Sequence, residues 1–272
     1  MTLYSCPICK LPLYKLSNSL KCDNRHNFDV AKEGYINLLK LNNKKSILPG
    51  DNKDMISSRR LFLDSGHYDK VILEIIKIIE HYKPNHTKNI LDLGCGEGYY
   101  TSFFQKEFND IKFYGLDISK YAIKLAAKKH KKPVFFVASS KDIPLQEKSI
   151  DAIIKICAPM FIDKISKILK EEHIIVSVSP GNNHLIEIRN LLYKSIRNNT
   201  EKLNKIADVD LIHTKEVKLD MSLNQTELQN LINMTPFKWK MNNKLKKLLM
   251  SNSLFNCTAH FKIEVLKLKP SF

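Results

Sequence analysis

The sequence predicts an α/β protein, with a doubly wound and mainly parallel sheet behind a small metal-binding module. Between residues 89 and 179, apolar segments of strand length alternate with segments of helical periodicity, which is typical of a parallel sheet covered by helices. A glycine-rich turn joins the first strand of this series to its first helix. Cysteines at metal-ligand spacing stand within the first 22 residues. These three observations predict the fold class.

The composition is that of a folded chain in water. Of the 272 residues, 43% are hydrophobic and 26% are charged, as in ordinary globular domains. No apolar run approaches the ~20 residues that cross a bilayer. The first residues lack the basic flank and apolar core of a signal peptide. We therefore expect a cytoplasmic protein with no membrane partner.

The charge balance is strongly positive. The chain has 44 Lys and Arg residues against 28 Asp and Glu residues, which gives a net charge of +16. Two interpretations stay open at this point. The charge either serves solubility or attracts a polyanionic partner such as a nucleic acid. No run of like charges is long enough to form a basic tail.

The N-terminal cysteines have the spacing of a zinc site. The segment reads Cys6-Pro-Ile-Cys9, then twelve residues, then Cys22-Asp-Asn-Arg-His26. Two thiolates two residues apart bind one ion from a single tight turn, and a second pair can return on a hairpin. Three cysteines and a histidine form a structural zinc set with no open coordination position. The pattern predicts zinc bound by these four residues, and chance clustering of reduced thiols is the alternative.

A polar linker and two helices follow this module. Residues 42–50 are rich in Asn and Lys and end in Pro-Gly, which is typical of a linker. Residues 51–64 and 69–82 show helical periodicity. The predicted division has three parts, which are a zinc-binding module at residues 1–40, a linker and helix at 41–66, and the main domain at 67–272.

The main domain alternates strands and helices. The predicted strands are residues 89–93, 111–117, 134–138, 149–156 and 173–179. The predicted helices are residues 99–108, 120–130, 162–169 and 184–197. Near the C-terminus, the alternating apolar pattern of residues 259–268 predicts an antiparallel strand at an edge of the sheet.

The first strand–helix connection has the features of a nucleotide-type pocket. It reads Asp92-Leu-Gly-Cys-Gly-Glu-Gly98. Gly94 and Gly96 let the backbone approach a ligand closely at the N-terminus of a helix. Asp117 ends the next predicted strand, where a carboxylate can accept both hydroxyls of a ribose. The full order of strand, glycine turn, helix, strand and acid is more specific than the glycines alone.

The spacing of the glycines favours S-adenosylmethionine over a dinucleotide. A dinucleotide site reads G-x-G-x-x-G, whereas this turn reads G-x-G-x-G and is preceded by Asp92. A carboxylate there suits the amino group of S-adenosylmethionine better than it suits a diphosphate. A turn without a ligand is the remaining alternative, and Asp117 at its expected place argues against it. We predict a class I S-adenosylmethionine-dependent methyltransferase fold with a Rossmann-like mixed sheet.

Further stretches match one family nearly from end to end. They are Cys6-Pro-Ile-Cys9, Arg25-His-Asn-Phe-Asp29, Ala31-Lys-Glu-Gly-Tyr-Ile-Asn-Leu-Leu39, Arg59-Arg-Leu-Phe-Leu-Asp-Ser-Gly-His-Tyr68, Leu91-Asp-Leu-Gly-Cys-Gly-Glu-Gly-Tyr-Tyr-Thr101, Gly115-Leu-Asp-Ile-Ser-Lys120, Val137-Ala-Ser-Ser140 and Met234-Thr-Pro-Phe-Lys-Trp239. On these residues the chain resembles the bacterial 23S rRNA guanine-N1-methyltransferases, the large-subunit methyltransferase A family. Many methyltransferases share the glycine turn, but the cysteine module joined to Ala31–Leu39 and Gly66-His-Tyr68 is specific.

The resemblance implies methyl transfer from S-adenosylmethionine to N1 of a guanine in a hairpin of 23S rRNA. The target is guanine 745 in one branch of the family and guanine 748 in another. The resemblance also implies a homodimer and a zinc module that helps to hold RNA. It adds four residues to the cofactor set of Asp92, Gly94, Gly96 and Asp117, and these are Tyr68, Tyr100, Thr101 and His184.

No catalytic residue is predicted. Guanine N1 carries a proton that must leave, so a base or a stabiliser of the anion is required. The target must also be unpaired or flipped. Cys157 follows the fourth strand and is interpreted as a buried packing residue rather than a nucleophile. Lys53, Arg59 and Arg60 are candidate phosphate contacts, with a solvated helix face as the equally weighted alternative.

Two other classes of protein stay open at this stage. One is a zinc-finger RNA-binding protein without catalysis, and the intact glycine turn and its acids argue against it. The other is a small-molecule methyltransferase with an accessory zinc module, which the charge of +16 disfavours.

Overall fold

The computed structural model describes residues 2–40, 51–193, 208–243, 249, 251 and 253–269. The predicted polar linker at 42–50 and the end of the predicted helix at 184–197 lie outside these residues. No helix in the described ranges is long and apolar enough to span a bilayer.

The elements follow one another along the chain as the periodicity predicts, with exceptions given below. The strands are β1 (Tyr14–Leu16), β2 (Ser19–Lys21), β3 (Asn27–Asp29), β4 (Ile36–Asn37), β5 (Asn89–Leu93), β6 (Lys112–Asp117), β7 (Val134–Val137), β8 (Ile150–Ile156), β9 (Leu169–Pro180), β10 (Val209–Asn224) and β11 (Leu254–Leu268). The helices are α1 (Lys53–Asp64), α2 (Asp69–Tyr82), α3 (Tyr99–Glu107), α4 (Lys120–Lys129), α5 (Ile162–Ile165), α6 (Ile186–Leu192) and α7 (Gln225–Asn233), with a 3₁₀ turn at Pro236–Lys240.

An eight-stranded mixed sheet forms the body of the molecule. Its order is β10-β11-β9-β8-β5-β6-β7-β4. The six strands from β9 to β4 in this order run parallel, and β11 and β10 are antiparallel to their neighbours. The chain reverses its direction of travel across the sheet at β5, because β6 and β7 lie on one side of it and β8 and β9 on the other. Ligands bind beyond the carboxyl ends of the strands at such a switch point.

Two apolar layers cover the sheet, one on each face. Successive residues of a strand point to opposite faces, so Ile154 of β8 joins the layer with helix α2, and its neighbour Ile153 joins the other layer. That second layer includes Leu13 and Leu20 from the N-terminal module. The module therefore covers part of the main sheet and shares its core.

The N-terminal module also extends the sheet. Strand β4 pairs in parallel with β7, with Ile36 opposite Phe136. The next pair is Asn37 and Val137, and beside it the Leu38 amide donates a hydrogen bond to the Val137 carbonyl at 2.9 Å. The ring of Tyr4 packs edge-on against Phe136 with centroids 5.3 Å apart. The last strand of the predicted 1–40 module thus belongs to the main sheet, and the proposed domain boundaries stay a prediction.

Two predictions of the elements need correction. The strand predicted at an edge becomes β11, which lies inside the sheet between β9 and β10, in keeping with its buried Phe261, Ile263 and Val265. Strand β10 takes the outer place. The helix predicted at 162–169 shortens to one turn, because Leu169 already pairs with Ile150 as the first residue of β9.

Candidate cofactor pocket and zinc site

The four predicted metal ligands come together in the N-terminal module. Strands β1 and β2 form a hairpin, which returns Cys22 and His26 to the turn that holds Cys6 and Cys9. The four ligand atoms lie within 4.8 Å of one another. Sγ of Cys22 is 3.4 Å from Nδ1 of His26, and Sγ of Cys9 is 3.6 Å from Sγ of Cys22.

These distances fit a tetrahedral zinc ion. Zinc–sulfur bonds of about 2.3 Å place two ligands of a tetrahedron about 3.8 Å apart. Three of the six separations are 3.4 to 3.6 Å, close to this value, and the others are within 4.8 Å. Three thiolates and one imidazole fill all four positions, so the ion would have no open site for a substrate. The prediction of a structural zinc site is confirmed.

A cavity of ≈ 1420 Å³ lies at the carboxyl edge of the parallel strands. Strands β5, β6 and β8 end at its floor, and helix α1 and the 3₁₀ turn contribute to its walls. Seven of the eight predicted cofactor residues line it, and these are Tyr68, Asp92, Gly94, Gly96, Tyr100, Asp117 and His184. The eighth, Thr101, is fully buried behind the wall.

The glycine turn is a backbone cradle at this cavity. Gly94 has φ +79°, and a Cβ atom on it would lie 2.4 Å from the Cβ atom of Ala158. Gly96 has φ +58°, but a Cβ atom there would meet no atom within 4 Å. The first glycine is therefore required by the packing of the protein. The second leaves open space at the cavity wall, as a closely bound ligand would need.

Asp92 is a buried acid at the base of the cradle. Its side chain accepts a hydrogen bond of 2.5 Å from the Thr101 hydroxyl. Burial raises the pKa of Asp92 to about 7, the nearby Asp117 carboxylate adds to the rise, and the Thr101 hydrogen bond opposes it. A cation bound beside Asp92 would favour its ionised form. The site therefore fits a ligand with a positively charged amino group.

Asp117 is held in place by backbone groups. Its Oδ2 atom accepts from the Gly96 amide at 3.0 Å, and its Oδ1 atom accepts from the Ser119 amide at 2.7 Å. Burial raises the pKa of Asp117, and these two hydrogen bonds oppose the rise. Each carboxylate oxygen keeps a second lone pair for a ligand, so the geometry suits a pair of ribose hydroxyls.

His184 and the Phe261 ring form another part of the cavity wall. Nδ1 of His184 accepts from the His260 amide at 3.2 Å, so the proton of the neutral ring is on Nε2. Burial lowers the pKa of His184 to about 4. Its ring packs on Phe261, which also contacts Tyr68 with centroids 5.0 Å apart. His184 is therefore a neutral hydrogen-bond donor at the cavity.

The Tyr68 hydroxyl is a buried polar group that the described residues leave without a hydrogen-bond partner. Its ring is 4% exposed and lines the cavity. Burial raises the pKa of Tyr68, so the hydroxyl keeps its proton. A buried donor without a partner costs free energy unless a ligand supplies an acceptor. Together with the buried acids and the open space at Gly96, this hydroxyl fits S-adenosylmethionine, which offers acceptors and a cationic amino group.

Some cavity residues were missed or misread from the sequence. Arg59, a candidate phosphate contact, forms an ion pair of 2.5 Å with Asp51 and donates to the Met234 carbonyl at 3.3 Å, and both acid and arginine line the cavity. Cys157 is exposed and has a left-handed φ of 52°, because β8 ends one residue earlier. Its predicted burial is wrong.

The outer wall of the cavity was not predicted. It contains Tyr193, Phe237 and Lys240, with the ammonium of Lys240 4.2 Å from the ring centroid of Tyr193. The rings of Tyr193 and Phe237 are 6.5 Å apart. The Met234-to-Trp239 stretch was a sequence signal for this wall, but it carried no assigned role.

Comparisons with known proteins agree with both halves of this description. The family model described as "RlmA, N-terminal" matches residues 4–47, and the model described as "Methyltransferase domain" matches residues 91–177. The 23S rRNA (guanine(748)-N(1))-methyltransferase of Streptomyces fradiae is 29% identical over 86% of this chain and 85% of its own length. A putative 23S rRNA (guanine-N(1)-)-methyltransferase of Bacillus subtilis is 28% identical over 88% of this chain and 87% of its own.

A third relative, a putative 23S rRNA (guanine-N(1)-)-methyltransferase of Micromonospora griseorubida, is 24% identical over 86% of each chain. The fold and the site define a class I S-adenosylmethionine-dependent methyltransferase with a structural zinc ribbon. The N-terminal segment matches the RlmA model, and over most of its length the chain is similar to proteins named as 23S rRNA guanine-N1-methyltransferases.

Proposed function

We propose that this protein transfers a methyl group from S-adenosylmethionine to N1 of an unpaired guanine in a hairpin of 23S rRNA. One observation carries the proposal. The zinc ribbon and the methyltransferase pocket occur in one chain, and relatives that match 86% or more of this chain are named as 23S rRNA guanine-N1-methyltransferases. The net charge of +16 supports a polyanionic substrate.

The proposed cofactor contacts follow the chemistry of the cavity. S-adenosylmethionine supplies an electrophilic methyl group on its sulfonium when it is bound. Asp92 would receive its amino group, and Asp117 would accept the hydroxyls of its ribose. Gly94 and Gly96 would let the cofactor approach the backbone. The remaining proposed contacts are the side chains of Tyr68, Tyr100 and His184, while Thr101 would act through its hydrogen bond to Asp92.

The outer wall would receive the guanine. Methyl transfer is a displacement in line with the breaking bond, so the base must be held at one angle and distance. The rings of Tyr193 and Phe237 offer apolar surface for a base that has left its stack. Lys240 is a cation on the same wall, and a cation near guanine O6 would favour the N1 anion. Guanine N1 would become nucleophilic as its proton leaves.

Two positions in the rRNA are candidates. Guanine 745 is the first choice from the resemblance of the sequence. Guanine 748 is the alternative, and it is favoured by the name of the Streptomyces fradiae relative. The two positions differ by three nucleotides, so a single sequencing gel separates them.

The experiment is reverse transcription across 23S rRNA from cells with and without the gene. A methyl group on N1 blocks the pairing edge of guanine and stops the polymerase one nucleotide earlier. We expect a stop next to guanine 745 or 748 that disappears on deletion. Wild-type protein should restore it and Asp92→Ala should not. Identical traces from cells that express the protein would contradict the proposal.

We also infer a cytoplasmic homodimer from the family resemblance. Light scattering on the purified protein measures its mass directly. A dimer would give twice the 31.5 kDa of one chain. A mass of one chain at micromolar concentration would contradict the dimer and leave the proposed chemistry intact.

A further inference from the structure

We propose that Trp239 is a stacking platform for an unpaired RNA nucleotide beside the target guanine. This inference rests on the proposed function and adds to it a surface outside the cavity. The ring would hold the neighbour of the target base while that base occupies the cavity, and the lysines around it would contact the phosphates.

The geometry of the 3₁₀ turn places Trp239 at the rim. A 3₁₀ helix has about three residues per turn, so residues i and i+3 share a face. Phe237 and Lys240 are such a pair, and both line the cavity. Pro236 also lines the cavity, and its i+3 partner Trp239 lies next to these lining residues without lining the cavity itself. One short turn therefore contributes three residues to the cavity lining and places a large ring at the rim.

Trp239 is unusually exposed. Its side chain is 69% exposed, which is the highest value among the large hydrophobic residues that the structure describes as exposed. Tryptophan buries more apolar surface than other side chains when it is covered, so an exposed tryptophan often marks a binding surface. Its position between two cavity-lining residues joins this surface to the cavity mouth.

The turn is anchored to the rest of the domain. Arg59 of α1 donates to the Met234 carbonyl at 3.3 Å, just before the turn. The Thr235 hydroxyl donates to the Ile232 carbonyl at 2.9 Å. Lys238 lies 3.9 Å from the Asp54 carboxylate of α1. Because of these contacts, the ring projects from a fixed support, as a stacking surface requires.

The charges around the ring favour RNA as the occupant. Aromatic and cationic residues alternate along Phe237, Lys238, Trp239 and Lys240. Nζ of Lys238 is 5.6 Å from the centroid of the Trp239 ring. Proteins that bind single-stranded nucleic acid combine aromatic rings for the bases with basic side chains for the phosphates. A protein partner of this basic turn would need an acidic surface instead.

The chain supplies its own probe, because Trp239 is its single tryptophan. We would titrate full-length wild-type protein with a 23S rRNA hairpin that has an unpaired loop and follow tryptophan emission. Stacking should quench the emission in proportion to the bound fraction. A fully paired RNA of the same length and heparin serve as polyanion controls, and they should bind with little quenching.

Variants then measure what the ring contributes to binding. Base–aromatic stacking is worth enough that Trp239→Ala should weaken hairpin binding roughly 5- to 150-fold. Trp239→Phe keeps a stacking surface and should bind close to wild type. Phe103→Ala is the matched control, because Phe103 is an exposed aromatic residue of α3, 37% exposed and outside the cavity lining.

The outcomes separate this inference from the proposed function. If wild-type protein methylates the hairpin, but emission is unchanged and Trp239→Ala binds normally, Trp239 has no stacking role and the proposed function stands. Equal quenching by heparin, or quenching on self-association without RNA, would also overturn the inference. If wild-type protein neither binds nor methylates the hairpin, the proposed function is overturned, and the inference about Trp239, which rests on it, is overturned as well. The emission titration needs no variant, so it decides even if Trp239→Ala fails to fold.

Discussion

The hydroxyl of Thr101 donates a hydrogen bond of 2.5 Å to Asp92, and both side chains are buried, at 0% and 2% exposure. The acid lies at the end of β5 and the threonine in the first turn of α3. The helix that follows the glycine turn therefore supports the acid that precedes it. This support opposes the effect of burial, which raises the pKa of Asp92.

The first prediction concerns this support. Thr101→Val keeps the shape of the side chain and removes the donor, so the ionised form of Asp92 loses one hydrogen bond. Hydrogen bonds to charged groups are worth about 1.5–3 kcal/mol, so S-adenosylmethionine should bind roughly 10- to 150-fold more weakly in calorimetry. Thr101→Ser should bind normally. Ser102→Ala, which removes a hydroxyl that donates to the Tyr99 carbonyl, is the control. If Thr101→Val binds S-adenosylmethionine with unchanged affinity, the ionised form of Asp92 does not contribute to cofactor binding.

A second prediction concerns pH. The pKa of Asp92 is raised to about 7, so in the free protein the acid is increasingly protonated as pH falls below that value. The cofactor amino group requires the ionised form, and binding must then expel the proton. Between pH ~5 and ~7, where an α-amino group stays protonated, affinity should therefore fall with falling pH, by up to about tenfold per unit.

The control for this pH profile is Asp92→Asn. Its binding should be weak, and any dependence on pH that remains would belong to Asp117 or to Glu97, two cavity-lining acids whose pKa burial also raises. His184 stays neutral in this window, because burial lowers its pKa to about 4. An affinity that rises as pH falls would refute the assignment of Asp92 to the amino group.

A third prediction compares two glycines of the cradle. Gly94→Ala places a Cβ atom 2.4 Å from Ala158, so it should lower the melting temperature of the protein as well as cofactor affinity. Gly96→Ala meets no atom within 4 Å and costs only its left-handed backbone, about 1–2 kcal/mol. It should mostly preserve the fold and weaken binding. Thermal unfolding measures the melting temperature of each variant, and calorimetry measures its affinity for the cofactor. Normal cofactor binding by Gly96→Ala would argue against a ligand at the turn.

A fourth prediction concerns zinc. Metal analysis of the purified protein should find about one zinc per chain, and Cys9→Ser should lower this content. The ribbon shares a core with the main sheet through Leu13 and Leu20, so loss of zinc should also lower the melting temperature. Cys157→Ser should keep its zinc, because Cys157 lies outside the cluster. If wild-type protein keeps the same melting temperature after its zinc has been removed, zinc has no structural role.

The parts of the site that could be predicted are those that local sequence encodes. Asp92 and Asp117 lie at the ends of two adjacent strands and the glycine turn follows the first of them, and parallel strands end at one edge of a sheet. The zinc ligands were predictable because their spacing belongs to one small module. These features can be predicted from the order of the strands, helices and turns along the chain alone.

The rest depends on contacts between distant segments. His184 is held by the amide of His260, 76 residues away, and the Tyr193 ring meets the ammonium of Lys240 from a distant segment of the chain. Strand β4 has two residues, too few for any periodic pattern. The place of β11 inside the sheet depends on β10, which was not predicted although apolar and polar residues alternate from Val217 to Leu223.

The most direct test of the whole account uses purified protein, S-adenosylmethionine with a labelled methyl group, and a transcript of the 23S rRNA hairpin. The RNA is digested to nucleosides and analysed by mass spectrometry. We expect the label in 1-methylguanosine, from a single guanine, and no label when Asp92→Ala replaces the wild-type protein. Label in another nucleoside or at another guanine atom would contradict the account, as would unmethylated hairpin in the presence of protein that binds the cofactor.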